Sequence, residues 1–93
     1  MAEPRFELGH IVATPGALQA FKDAAGARMI DYLDRHVTGD WGDLGEEDRN
    51  ENELSVVQGF RILSSYDLST GVTFWIITEA DRSATTFLLP SEY

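Results

Sequence analysis

Ninety-three residues with a formal charge of −9 and a pI near 4.4 fit one acidic domain over 1–93, since domains run to about 50–250 residues and a second core would have too little chain. Sixteen acidic residues against seven basic ones disfavour a direct nucleic-acid ligand, which needs clustered Lys and Arg. The absence of cysteine excludes disulfides, thiolate metal sites and a Cys nucleophile, and no apolar run approaches the roughly 18–20 residues of a membrane span, so a soluble cytoplasmic protein with no membrane partner is expected.

After a polar opening through Arg5, Phe6, Leu8, His10 and Val12 alternate with Glu7, Gly9 and Ile11, a period of two that predicts a strand over 6–13. Thr14-Pro15 reads as the N-cap and first residue of a helix over 15–24, with Leu18 and Phe21 inward. A second helix over 27–37 places Met29, Ile30, Leu33 and Val37 on one stripe and His36 in the last turn, where a cation complements the helix dipole. From Asp40 to Glu53, seven acidic residues face Arg49 alone and carry six of the nine net charges. Gly39, Gly42 and Gly45 make the first part of that segment a loop, and a third helix over 46–58 follows, with Leu54 and Val57 inward and Gly59 as its stop. The last third reads as three strands over 60–66, 72–78 and 84–89, separated by turn residues at 67–71 and 79–83. Trp75 and Ile77 alternate with Phe74 and Ile76, so that strand is apolar on both faces, as a central strand is. The expected fold is α+β: an antiparallel sheet of three to four strands, a C-terminal meander plus the N-terminal strand, with two or three short helices packed on one face.

The blocks HVTGDWGDL (36–44), ENEL (51–54), GFRILSSY (59–66) and WIITEADRSATTFLLPSEY (75–93) carry a resemblance over nearly the whole chain. It resembles a family of small bacterial "plasmid-related" proteins found on plasmids, prophages and other mobile elements. The resemblance implies a mobile-element setting and assigns neither catalytic residues nor a cofactor. Some members bear the label of a restriction-modification methylation subunit; 93 residues without a Gly-rich cofactor loop or an Asn-Pro-Pro-aromatic motif cannot hold a methyltransferase site.

Reactive constellations are sparse. His36 with Asp40 and Asp43 has too few ligands for zinc, and Ser64, Ser65 and Ser83 with His10 and Asp81 lack a nucleophile elbow or an oxyanion loop. The expected protein is therefore not an enzyme and uses no cofactor or metal. What remains is charge: Asp40, Trp41, Asp43, Glu46, Glu47, Asp48 and Glu51, together with the turn residues Glu79, Asp81 and Arg82, form the expected partner-binding set. Trp41, between glycines and carboxylates, either anchors its loop in the core or stands out as an interface residue, and anchoring fits a large ring better. The expected partner is a nucleic-acid-handling protein with a basic groove, occupied by phosphate-like carboxylates as in DNA-mimicking anti-CRISPR or anti-restriction inhibitors. The alternative is an accessory protein of plasmid or phage maintenance that binds a protein, or a second copy of itself, through its sheet.

Overall fold

The computed structural model describes residues 3–93. The elements are β1 (His10–Ala13), α1 (Pro15–Asp23), α2 (Met29–Val37), α3 (Glu46–Gln58), β2 (Ile62–Asp67), β3 (Thr73–Thr78) and β4 (Ala84–Leu88), followed by a 3-10 turn at Pro90–Glu92. The fold is α+β with a four-stranded sheet in the order β1-β4-β3-β2. Among the described residues no helix is long and apolar enough to cross a membrane.

The meander β2–β3–β4 is antiparallel as expected, but β1 pairs with β4 in parallel, so the sheet is mixed. A parallel pair needs a crossover rather than a hairpin, and here everything between the first and last strands supplies it. Strand β1 is also shorter than the expected 6–13. Gly9, at φ +66°, lies so close to Ser83 that a Cβ would fall 2.3 Å from its carbonyl oxygen, and residues 6–9 are not strand.

Helices α1 and α2 cover one face. Strand alternation places Tyr66, Phe74, Ile76 and Phe87 there, and Ala17, Ala20, Phe21 and Ala24 of the α1 segment pack on them. The small residues let the helix approach closely. Phe21 meets Tyr32, Phe74 and Phe87 edge to face and Tyr32 meets Phe74 in the same way, with ring centroids 4.8 Å apart for Phe21 and Phe74 and 5.0 Å for Tyr32 and Phe74, while Phe74 and Phe87 stack. Thr14 caps α1 by accepting from the Ala17 N–H, and Glu92 reaches back from the C-terminus to accept from the Gly16 N–H.

The third helix corrects two expectations. It lies along the outer edge of β2 rather than on the helical face, and Leu54 and Val57 point outward, 53% and 77% exposed. Its buried residues are polar: Asn52 and Ser55. Leu18 and Ile30, also expected inward, are exposed, because α1 and α2 turn their alanine and aromatic sides to the sheet. The reason at α3 is that a strand edge offers unpaired N–H and C=O groups, which an apolar stripe would leave unsatisfied. The Asn52 amide donates to the Leu63 carbonyl (2.6 Å) and accepts from the Leu63 N–H (3.2 Å), standing in for a neighbouring strand.

His36 departs furthest from its expected place at a solvated helix end. It is fully buried, with Nδ1 2.6 Å from Ser64 Oγ and Nε2 2.9 Å from Thr78 Oγ1. Thr85 Oγ1 donates to the Leu8 carbonyl, so Thr78 must donate to Thr85, and His36 Nε2–H must donate to Thr78. Nδ1 then carries no proton and accepts from Ser64. Burial pushes the imidazole down to about 3.

A pH prediction follows with a fixed sign. Below the unfolded value of about 6.5 the unfolded chain takes up a proton that folded His36 refuses, so stability falls as pH drops from 6.5 toward 3, by up to about 1.4 kcal/mol per pH unit. Denaturant melts are expected to lose about 2 kcal/mol between pH 6.5 and 5, above the range where carboxylates protonate. The His36→Gln variant, less stable throughout, is expected to lack that slope. Equal slopes in both proteins contradict the assignment.

Candidate functional site

The loop from Gly39 to Gly45 is built onto the rim of the sheet. The Ser65 N–H donates to the Trp41 carbonyl (3.1 Å) and the Asp43 N–H donates to the Ser65 carbonyl (2.7 Å), so residues 41–43 form a one-bridge strand beside β2. Gly42 is required there: at φ +75° a Cβ would sit 2.0 Å from the Ser65 oxygen. The Tyr66 hydroxyl donates to the Asp40 carbonyl (2.6 Å), and burial pushes that phenol up to about 12.

Trp41 is the anchor of the segment. Only 4% exposed, its ring lies parallel to Phe6 at 6.2 Å and edge-on to His36 at 6.1 Å, and its indole N–H donates to Glu53 Oε2 at 2.9 Å. Arg5 lies over the indole and pairs with the same Glu53 carboxylate at 2.7 Å. The hydrogen bonds from Arg5 hold Glu53 below its ordinary range, against a burial contribution that opposes them, and the Trp41 N–H helps.

Arginines clamp the rest. Arg35 pairs with Asp40 at 2.8 Å and lowers its pKa, chiefly by hydrogen bonding. Arg49 donates to the Leu44 and Gly42 carbonyls, fixing the loop to the first turns of α3. Arg82, at φ +60°, donates to the Ser55 and Phe60 carbonyls at the C-terminal end of α3, where a cation also meets the negative end of the helix dipole. The expected partner-binding residues are thus sorted by position. Trp41 is internal and can act on a partner only by positioning its neighbours, while Arg82 is a half-buried brace. Asp40 is exposed but already paired.

Asp43, Glu46, Glu47, Asp48 and Glu51 are exposed and, among the described residues, make no ion pair. Glu46, Glu47 and Asp48 occupy the first turn of a helix whose N-cap, Gly45, offers no side-chain cap, so part of their charge complements the dipole. Glu79 and Asp81 lie on the β3–β4 connection, which Arg82 ties to the far end of α3, so the two acidic groups flank one 13-residue helix about 20 Å long. Ser83 holds Asp81 low through its hydroxyl and its backbone N–H.

Reactive chemistry finds little here. Among the described residues no group of three His, Asp or Glu side chains is placed to hold a metal ion. The Ser64–His36 pair has the composition of a nucleophile and base, but both residues are fully buried and both ring nitrogens are engaged. Asp81 bonds Ser83, and His10 stands exposed on β1. Glu53, Arg5, Arg35 and Asn52 are the residues that sequence reading did not assign. None of the four left a signal, and Asn52 lies on the side of α3 away from Leu54 and Val57, the residues expected inward. No protein-family model, curated protein or solved structure matches the chain.

Replacing Trp41 by Ala removes a buried ring and is expected to cost roughly 3–5 kcal/mol, seen as a lower melting temperature. Trp41→Phe keeps most of the ring but not the N–H, and is expected to fall between wild type and Trp41→Ala. An alanine variant that melts like wild type contradicts the anchoring role.

Proposed function

We propose that this protein is a non-enzymatic interaction protein whose acidic surface, Asp43 with Glu46, Glu47, Asp48 and Glu51, docks into a basic groove of a nucleic-acid-handling protein. The observation that carries this reading is a row of unpaired carboxylates on a helix braced at its start by Arg49, at its middle by Asn52 and Glu53, and at its end by Arg82. Bracing matters because charges held in a fixed array bind a complementary surface without the ordering cost that a flexible acidic tail incurs. Exposed like charges also attract a basic partner from a distance and speed encounter in a salt-dependent way. The resemblance to mobile-element proteins adds a setting in which mimicry of DNA, against a host nucleic-acid-targeting defence complex, is an apt use of such a surface.

The sheet face turned away from α1 and α2, where Leu63 and Trp75 are half-buried and Ile77 and Leu88 are buried, favours a second reading. Leu63, Trp75, Ile77 and Leu88 point away from α1 and α2, and a cavity of about 380 Å³ opens between that face and α3, lined by Leu44, Leu63 and Trp75 with Asp48, Glu51 and Arg61 among its polar residues. Such a face suits an accessory protein that binds its partner through the sheet.

Charge reversal separates the two. Glu47 and Glu51 lie four residues apart on one helix side, and changing both to Lys is expected to leave folding within about 1 kcal/mol of wild type. The double variant is expected to lose the nucleic-acid-handling proteins that tagged wild type recovers from its host at low salt. Trp75→Ser, made at the floor of the cavity, is expected to retain them. Recovery of the same proteins by wild type and the charge-reversed variant removes the acidic surface as the site, and loss with Trp75→Ser alone selects the sheet face.

A further inference from the structure

The two edges of the sheet are treated differently. At β2 the outer backbone is occupied by Trp41, Asp43 and Asn52. At β1 it faces no neighbouring strand among the described residues. The His10 and Thr14 N–H groups donate to the Ser83 and Phe87 carbonyls of the β4 segment, so, by strand alternation, Ile11 and Ala13 direct their N–H and C=O groups outward. Edge strands are ordinarily guarded by Lys, Pro, a bulge or an inward-pointing charge. At four residues β1 has only its shortness as a guard: His-Ile-Val-Ala carries none of these devices, and Ile11 and Val12 are 48% and 46% exposed.

We propose that β1 pairs antiparallel with β1 of a second copy of this chain, about a two-fold axis at Val12, to make one eight-stranded sheet. This goes beyond the acidic-surface reading and does not depend on it. The outward groups select the register. Ile11 of each copy opposes Ala13 of the other and exchanges both backbone hydrogen bonds with it, and Val12 opposes its own copy as a non-hydrogen-bonded pair. Each side of the seam is then apolar, Ile11 with Ala13 on the helical face and Val12 with Val12 on the other. Charge favours the second copy as occupant despite −9 on each chain. β1 carries no carboxylate, Lys or Arg, and the carboxylates of α3 lie beyond the opposite edge. In the eight-stranded sheet the two β2 strands are about 34 Å apart, several times the screening length of about 8 Å at physiological salt.

The natural absence of cysteine makes the test direct. Opposed Val12 Cα atoms would lie about 4.5 Å apart, within disulfide reach. Under mild oxidation Val12→Cys is expected to form a covalent dimer several-fold faster than Val57→Cys, an exposed control on α3. Sedimentation of the wild type is expected to reach twice the monomer mass as concentration rises, and Val12→Lys to remain monomeric with an unchanged circular dichroism spectrum. A wild type that stays monomeric at the highest concentration, a folded Val12→Lys that still dimerises, or faster crosslinking through Ile11→Cys than through Val12→Cys overturns the proposal.

Discussion

A neutral imidazole sealed beneath α2 joins more of this molecule than any other single group. His36 accepts from Ser64 on β2 and donates to Thr78 on β3, which passes the chain to Thr85 on β4 and on to the carbonyl of Leu8 in the segment before β1. Each hydroxyl has one proton, so the direction of every bond is set by the last one, and the imidazole is held in one tautomer. Buried polar groups are costly when unpaired and specific when fully paired. No buried side-chain nitrogen or oxygen among the described residues lacks a partner. The network therefore fixes how the sheet, α2 and the N-terminal segment sit together, where an apolar filling would tolerate sliding.

The lid over that network also builds the candidate site. Phe6 meets His36 edge to face at 5.2 Å and stacks on Trp41, and Arg5 and Arg82 cover the rings from outside. Through the Trp41–Glu53 hydrogen bond the same cluster reaches α3. Folding thus uses four of the seven cations internally: Arg5, Arg35, Arg49 and Arg82 all serve as braces. The carboxylates left over stand exposed without ion pairs among the described residues. Their concentration on one side is a consequence of where the arginines are spent as much as of how many acids the chain contains.

The sheet shows a related economy of edges. One side chain amide and a three-residue loop close β2 without another strand, and they do so from the elements that present the acidic surface. Polar residues on the inner side of α3 and apolar ones on its outer side follow directly, because a strand edge asks for hydrogen bonds and not for grease. That inversion leaves Leu54 and Val57 in solvent beside the carboxylates.

By itself the sequence determined the local elements and the charge map. Thr14-Pro15, Gly59, the turn residues around Gly71 and the alternation in β3 are short-range signals, and the helices at 15–23 and 46–58 and the three C-terminal strands lie within one or two residues of where those signals put them. The acidic run of 40–53 was equally legible, since charge is additive along a chain. Only the tertiary structure decided which way β1 pairs, that α3 turns its polar side inward, that His36 lies in the core, and that Trp41 and Arg82 brace the acidic surface from within. Each of those depends on a partner 11 to 77 residues away, Leu63 for Asn52 and Leu8 for Thr85 being the two extremes, and periodicity reports which side of an element is apolar without reporting what waits on the other side.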